Sequence, residues 1–256
     1  MYPGEEMKDK EVKEKKITLC QEEPFFHTVE GEGSWMGRLV SYMRTSGCNL
    51  RCSWMGEDGP VLCDTAYTSH SASKHVVTVD EAYHYLYYHG NYASISGGEP
   101  FLQANVIDLI DKLETNGKQV KVETNGTIFR PSKATLICLS PKLASSSSGL
   151  VGSQKEKHDK NRYNLESLKQ FMEYYGPERY IFKFVVNSME DMEEIKQSYI
   201  QPLNIPHDKI WLMPMGIKAE ALNEKAQWII EDCCKPNGYN FSHRMHIVIY
   251  GNKVGV

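Results

Sequence analysis

Cys48, Cys52 and Cys63 are three of the chain's seven cysteines. They crowd into one stretch, Gly47-Cys48-Asn49-Leu50-Arg51-Cys52-Ser53-Trp54, closed by Cys63-Asp64-Thr65. Three thiols cannot all pair as disulfides, whereas thiolates hold zinc or an iron–sulfur cluster. A cube of four irons takes four ligands, so three from the protein leave one iron open to bind something else. A second stretch, Phe26-His27-Thr28-Val29-Glu30-Gly31-Glu32-Gly33, sets two carboxylates between small residues. Its glycines let backbone approach a ligand closely, and Glu30 or Glu32 can accept hydrogen bonds from a polar heterocycle. Taken alone, such a loop is more often just a turn.

These groups need a frame. The apolar run 39–43 reads as a strand, which puts the thiols on the loop leaving its C-terminal end. Thr78-Val79-Asp80-Glu81 is a capping box that opens a helix through about His89. Residues 92–96 then read as a strand ending in Gly97-Gly98-Glu99-Pro100. Val106, Leu109, Ile110 and Leu113 mark a helix that Asn116-Gly117 stops. Residues 120–123 alternate as a strand that ends in Thr124-Asn125-Gly126, and 135–139 form another that ends in Ser140-Pro141-Lys142. Leu165, Leu168, Met172 and Tyr175 mark the next helix, 180–186 a strand, and Ser188 a helix cap. A strand over 209–214, a helix through Ala219, Leu222, Ala226 and Ile230, and a last strand over 246–250 complete the chain. Strand, turn and helix repeat, which predicts a parallel βα architecture whose functional loops follow the strand ends. Residues 144–161, with four consecutive serines, predict a mobile surface loop, and residues 1–16 a charged, solvated arm ahead of one domain over 17–256.

Composition narrows the class. At 256 residues and 41% hydrophobic the chain can bury one sizeable core, and its net charge of −4 argues against binding nucleic acid through phosphates. No run of about 18 apolar residues is present to span a membrane. The first residues lack the layout of a signal peptide, and the uneven cysteines do not form a secreted disulfide framework. A cytoplasmic protein is expected. Cys138 reads as core, and Cys20, Cys233 and Cys234 carry no assigned chemistry.

Cys48-x3-Cys52, Ser96-Gly97-Gly98-Glu99-Pro100 and Glu123-Thr124-Asn125-Gly126, in this order, resemble the radical S-adenosylmethionine superfamily. Within it, the Phe26–Gly33 stretch, Arg44 ahead of Gly47-Cys48, Cys63-Asp64-Thr65 and Ser140-Pro141-Lys142 resemble the 7-carboxy-7-deazaguanine synthases. The resemblance implies a partial, modified TIM-type (βα)6 barrel. It implies that Cys48, Cys52 and Cys63 hold a [4Fe–4S] cluster whose open iron chelates S-adenosylmethionine. A 5′-deoxyadenosyl radical would take a hydrogen from 6-carboxy-5,6,7,8-tetrahydropterin, and ring contraction with loss of ammonia would give 7-carboxy-7-deazaguanine. Val29, Glu30, Gly31, Arg44, Ser96 and His246 would contact substrate, with Arg44 on its carboxylate, and Thr65 would bind Mg²⁺. Leu62, Cys63, Asp64, Gly98, Glu99, Glu123, Asn125, Ser140, Pro141 and Lys142 would line the cofactor. A homodimer and a flavodoxin-like electron donor are implied as partners.

The superfamily's commonest spacing, Cys-x3-Cys-x2-Cys, would put a ligand at Met55, a thioether that does not replace a thiolate. Cys63 is the expected third ligand, and residues 55–62 read as an inserted loop that turns outward with Glu57 and Asp58 in solvent. Two rivals stand beside this reading. One is another radical enzyme, such as a glycyl-radical activase, against which Glu30, Arg44 and Thr65 argue. The other is a zinc-binding module with Cys48, Cys52, Cys63 and His70 as ligands.

Overall fold

A computed structural model of the chain describes residues 14–256, apart from 57, 70–72 and 74. Two short strands, β1 (Lys16–Thr18) and β2 (Phe25–Val29), lead into β3 (Leu39–Thr45). The hairpin β4 (Ser53–Gly56) and β5 (Gly59–Leu62) follows, then helix α1 (Ala66–Ser69), β6 (Val76–Thr78) and α2 (Val79–Tyr88). Next come β7 (Tyr92–Gly97), α3 (Asn105–Thr115), β8 (Gln119–Thr124), β9 (Leu136–Leu139), α4 (Gly152–Arg162), α5 (Leu165–Tyr175) and β10 (Tyr180–Val186). Helix α6 (Met189–Glu194) runs through a π-helical stretch into α7 (Gln201–Leu203). After β11 (Ile210–Pro214), α8 (Ala219–Trp228) likewise runs into α9 (Lys235–Asn237), and β12 (Asn240–Phe241) and α10 (Met245–Tyr250) end the order.

The main sheet has eight strands in the order β12-β11-β10-β9-β8-β7-β3-β2. From β3 to β12 every pairing is parallel, and only β2 lies antiparallel, on β3. Among the described residues the two edge strands do not pair with each other, so the sheet is a partial barrel. Alternation along the strands divides its faces. Met43, Val120, Val122, Ile137, Leu139, Phe182, Phe184 and Leu212 point outward into the main core, where α2, α3 and α5 pack. On the concave face, Val40, Tyr42, Leu136, Cys138 and Ile181 cluster with Trp35 as an apolar floor. Above that floor, the same alternation brings Arg44, Lys121, Glu123 and Lys183 to the concave side. An apolar base and a charged upper layer are thus written into single strands.

The expected capping box is present: Glu81 N–H donates to Thr78 Oγ1 at 3.1 Å and Thr78 N–H donates to Glu81 Oε2 at 2.7 Å. Ser188 occupies an N-cap but makes no side-chain cap bond. Instead the Asp191 carboxylate accepts from Asn187 N–H at 2.8 Å.

Four expectations are corrected. Residues 144–161 are not a loop without structure: a 3-10 turn over Ala144–Ser147 leads into α4. The serine hydroxyls bond back to carbonyls three residues earlier, Ser146 to Leu143 at 2.6 Å and Ser148 to Ser145 at 2.7 Å. Helix α4 escapes a periodicity search because it buries only His158, in place of an apolar stripe. Residues 246–250 are helical, and the last strand is β12. The β-branched run there resembles a strand, yet Val248 and Ile249 are exposed and only Ile247 is buried. Residues 55–62 are not a loose loop but belong largely to the β4–β5 hairpin, with Gly59 at φ +115° in its turn; Glu57 lies outside the described residues. Finally, β1 starts at Lys16, inside the expected arm, because residues 16–18 pair with β6; residues 1–13 lie outside the described part.

Candidate active site

A cavity of about 580 Å³ opens at the C-terminal ends of the parallel strands, within the range of small-molecule sites. Every site residue expected from the sequence lines it except Glu99 and Pro141. Glu99 is fully buried and is used up by three donors: Phe101 N–H at 3.0 Å, Thr124 Oγ1 at 2.8 Å and Asn125 N–H at 2.7 Å. It ties the end of β7 to the end of β8 and does not reach a ligand. Pro141 is buried between Ser140 and Lys142, both of which do face the cavity.

The cysteine loop leaves β3 through Gly47, at φ +92°. It passes so close to the turn after β7 that a Cβ on Gly98 would lie 2.0 Å from the Gly47 carbonyl oxygen and 3.1 Å from Cys48 Cβ. The missing side chain at Gly98 therefore makes room for the loop that carries Cys48. Asn125 braces the same loop, donating to Asn49 Oδ1 at 2.9 Å and to Cys48 Sγ at 3.9 Å, and Leu50 N–H points at Cys48 Sγ at 3.4 Å. Cys63 is joined to Cys52 by a backbone bond of 3.1 Å, and Thr65 Oγ1 sits 3.4 Å from Cys63 Sγ.

All three thiols are free. Burial, with Asp64 beside it, pushes Cys63 up to about 11. Burial also raises Cys48 and Cys52, so metal binding here releases protons. Among the described residues no three His, Cys, Asp or Glu side chains are gathered at metal-ligand spacing. The donor set fits an iron–sulfur group nonetheless: three soft sulfurs line one cavity, with hydrogen-bond donors already turned toward one of them. His70, the fourth ligand of the zinc alternative, lies outside the described residues.

The same cavity carries a buried charge network that the sequence shows only in part. Lys121 Nζ bridges Glu30 Oε2 at 2.7 Å and Glu123 Oε1 at 2.8 Å. Lys183 Nζ pairs with Glu32 and, at 3.1 Å, with Glu123. Arg244 spends all three guanidinium nitrogens on different segments: Glu32 at 3.0 Å, the Gly216 carbonyl at 2.6 Å, and Asp64. Burial alone would raise Glu123, but Lys121 and Lys183 outweigh it and hold the carboxyl down at about 2. Lys121, Lys183 and Arg244 are the functional residues that sequence reasoning missed. Lys183 left a signal, a lysine inside an otherwise apolar strand; Lys121, which alternates with Gln119 and Glu123 along its strand, and Arg244 left none.

His246 comes to the cavity from α10. A Cβ on Gly31 would lie 2.0 Å from its Nδ1, and Met245 N–H donates to the Gly31 carbonyl at 3.0 Å. Burial lowers the imidazole's affinity for a proton, with Glu32 acting the other way. We predict that Gly31→Ala displaces His246 and lowers turnover by about 100-fold, the scale of a misplacement near 1 Å. Turnover equal to the parent would show that the imidazole's position does not matter.

No protein-family model matches the chain. The 7-carboxy-7-deazaguanine synthase of Rhodopirellula baltica is 32% identical to it over 233 residues, covering 90% of this chain and 86% of that one. The 7-carboxy-7-deazaguanine synthase of Halobacterium salinarum is 32% identical over 244 residues, with 89% of each chain covered. The crystal structure of QueE from Escherichia coli has the same fold, with a TM-score of 0.61 at 23% identity over 90% of this chain and 95% of that one. With these relatives matched over most of their length, the chain belongs to the 7-carboxy-7-deazaguanine synthase family of enzymes.

Proposed function

We propose that the enzyme makes 7-carboxy-7-deazaguanine from 6-carboxy-5,6,7,8-tetrahydropterin, with loss of ammonia, using a [4Fe–4S] cluster, S-adenosylmethionine and Mg²⁺. The observation that carries this reading is the meeting, in one cavity, of three free thiols with an arginine that has no carboxylate partner among the described residues. When bound, the cluster and S-adenosylmethionine supply the one-electron chemistry that takes a hydrogen atom from the substrate. The chain's own task is to bind, orient and exclude water.

Cys48, Cys52 and Cys63 hold the cluster, and Thr65 offers its hydroxyl to Mg²⁺. Leu62, Asp64, Gly98, Glu123, Asn125, Ser140 and Lys142 shape the cofactor side of the cavity. Val29, Glu30, Gly31, Ser96 and His246 face the pterin. Arg44 pairs with the substrate carboxylate. Its Nε is buried without a partner, and its guanidinium lies over Phe26 and Tyr42 at 5.5 and 5.0 Å from the ring centroids. It packs beside the stacked pair Phe26–Tyr42, and its planar fork suits two-pronged capture of a carboxylate. A flavodoxin-like electron donor, a homodimer and a cytoplasmic setting complete the reading. Among the described residues no helix is long and apolar enough to cross a membrane.

Anaerobic turnover with metal and sulfide analysis tests the reading. Expected are iron and acid-labile sulfide in the protein, and product formed without matching 5′-deoxyadenosine. Zinc without sulfide would support the Cys3His alternative, and one 5′-deoxyadenosine per product would contradict regeneration of the cofactor. Arg44→Ala and Arg44→Lys should both weaken substrate binding, the first by roughly 1.5–3 kcal/mol for lost charge-assisted hydrogen bonds. Cluster absorbance should stay unchanged, and its loss in Arg44→Ala would mark a structural residue.

A further inference from the structure

The serine-rich segment has no place in the reaction, yet it touches the cysteine loop at successive points. Arg51, between Cys48 and Cys52, donates its N–H to His158 Nδ1 at 3.2 Å. An accepting Nδ1 carries no proton, so Nε2 carries it and donates to Ser146 Oγ at 2.9 Å. Ser146 in turn donates to the Leu143 carbonyl at 2.6 Å. The relay therefore has one direction and one tautomer. His158 is 2% exposed, and burial pushes its pKa down to about 4, so the ring is neutral at neutral pH.

The same segment grips the chain beyond Cys52. Gly149 N–H donates to the Ser53 carbonyl at 2.9 Å, and Ser148 Oγ accepts from Met55 N–H at 2.9 Å. A Cβ on Gly149 would lie 2.4 Å from Ser53 Oγ and 3.0 Å from the Trp54 carbonyl oxygen, so glycine lets the segment approach this closely without displacing Ser53. Backbone groups of Arg51, Ser53 and Met55 are thus all held from outside. Helix α4 is itself anchored: Arg162 pairs with Glu194 at 2.7 Å and donates to the Lys142 carbonyl at 3.1 Å.

We infer that residues 144–162 form a scaffold that presets the cysteine loop, and that His158 is the positioning residue that holds the turn between Cys48 and Cys52 through the Arg51 amide. The inference rests on Cys48 and Cys52 being cluster ligands only where the cluster is measured.

Three variants test it, read by hydrogen exchange over residues 49–55 and by the rate at which a chelator bleaches the cluster. His158→Phe fills the space and loses both hydrogen bonds. His158→Asn is smaller but places its side-chain oxygen near the position of Nδ1, where it can accept from Arg51. Expected are about tenfold faster exchange and bleaching in His158→Phe, the scale of the one lost hydrogen bond that holds Arg51 N–H, and near-parent behaviour in His158→Asn. A space-filling role reverses that order and overturns the inference, as does unchanged Arg51 protection in His158→Phe. Should His158→Phe fail to fold, Ser146→Ala removes only the far end of the relay: faster exchange over 49–55 supports the inference, and parent-like exchange overturns it. Exchange is read with and without the cluster. A protein that takes up no iron therefore removes the cluster reading while the Arg51 amide still decides the role of His158.

Discussion

Cys63→Ala is expected to leave a folded protein that cannot keep a four-iron cluster and has no activity, while Met55→Leu keeps both. A thiolate binds iron strongly and a thioether weakly, so removing one of three sulfur ligands is decisive. The structure gives the two candidates different surroundings. Cys63 lines the cavity, takes a backbone bond to Cys52 and has Thr65 Oγ1 beside its sulfur. Met55 is 55% exposed on the hairpin and is absent from the cavity wall. The residues between them do not merely loop away, because Gly56, Asp58, Val61 and Leu62 also line the cavity. The hairpin is thus a wall that carries Cys63 back to the other two thiols. Iron and sulfide content with the visible spectrum of anaerobically purified variants is the measurement. An intact cluster that binds S-adenosylmethionine in Cys63→Ala would sink the assignment.

Much of the frame was legible because its signals are local. The capping box at Thr78 and Glu81 and the amphipathic set Val106, Leu109, Ile110 and Leu113, all buried, were readable from spacing alone. Loops at strand ends could be assigned to one site because parallel strands deliver their C-terminal ends to the same side. What escaped depends on partners distant in sequence. Helix α4 has no apolar stripe, and its single buried side chain, His158, finds its partners at Arg51 and Ser146. Helix α10 carries three β-branched residues, Ile247, Val248 and Ile249, whose strand preference misleads; the helix meets the Gly31 loop through Met245 and His246. Glu99 was expected at the cofactor because the Ser96–Pro100 motif resembles that of the superfamily; only the fold shows that three donors already occupy its carboxylate.

The charge network is where the sequence is least informative and where a substitution should cost most in stability. Lys183 is 3% exposed and stands between Glu32 and Glu123; burial opposes its charge, but the two carboxylates outweigh that and raise its pKa. Lys183→Met keeps the aliphatic stem and removes the ammonium. It leaves Glu32 with Arg244, and Glu123 with Lys121 alone. Breaking a buried pair from one side typically costs about 3–5 kcal/mol when the remaining charge loses its only partner; because each carboxylate here keeps one, a loss at the lower end of that range is expected. Chemical denaturation at neutral pH should show a loss of that order.

The acid limb gives a second reading of the same network. Glu123 is held at about 2 when folded, against an ordinary 4.5, so it binds its proton less readily in the folded protein than in the unfolded one. That contribution to stability is complete above about 4.5 and is lost as pH falls through about 2. In Lys183→Met the folded value should rise, and the parent's decline over this window should shrink. The parent and variant curves should therefore converge at low pH. Parallel curves, offset equally at pH 7 and pH 3, would mean that Lys183 acts through packing and not through its charge.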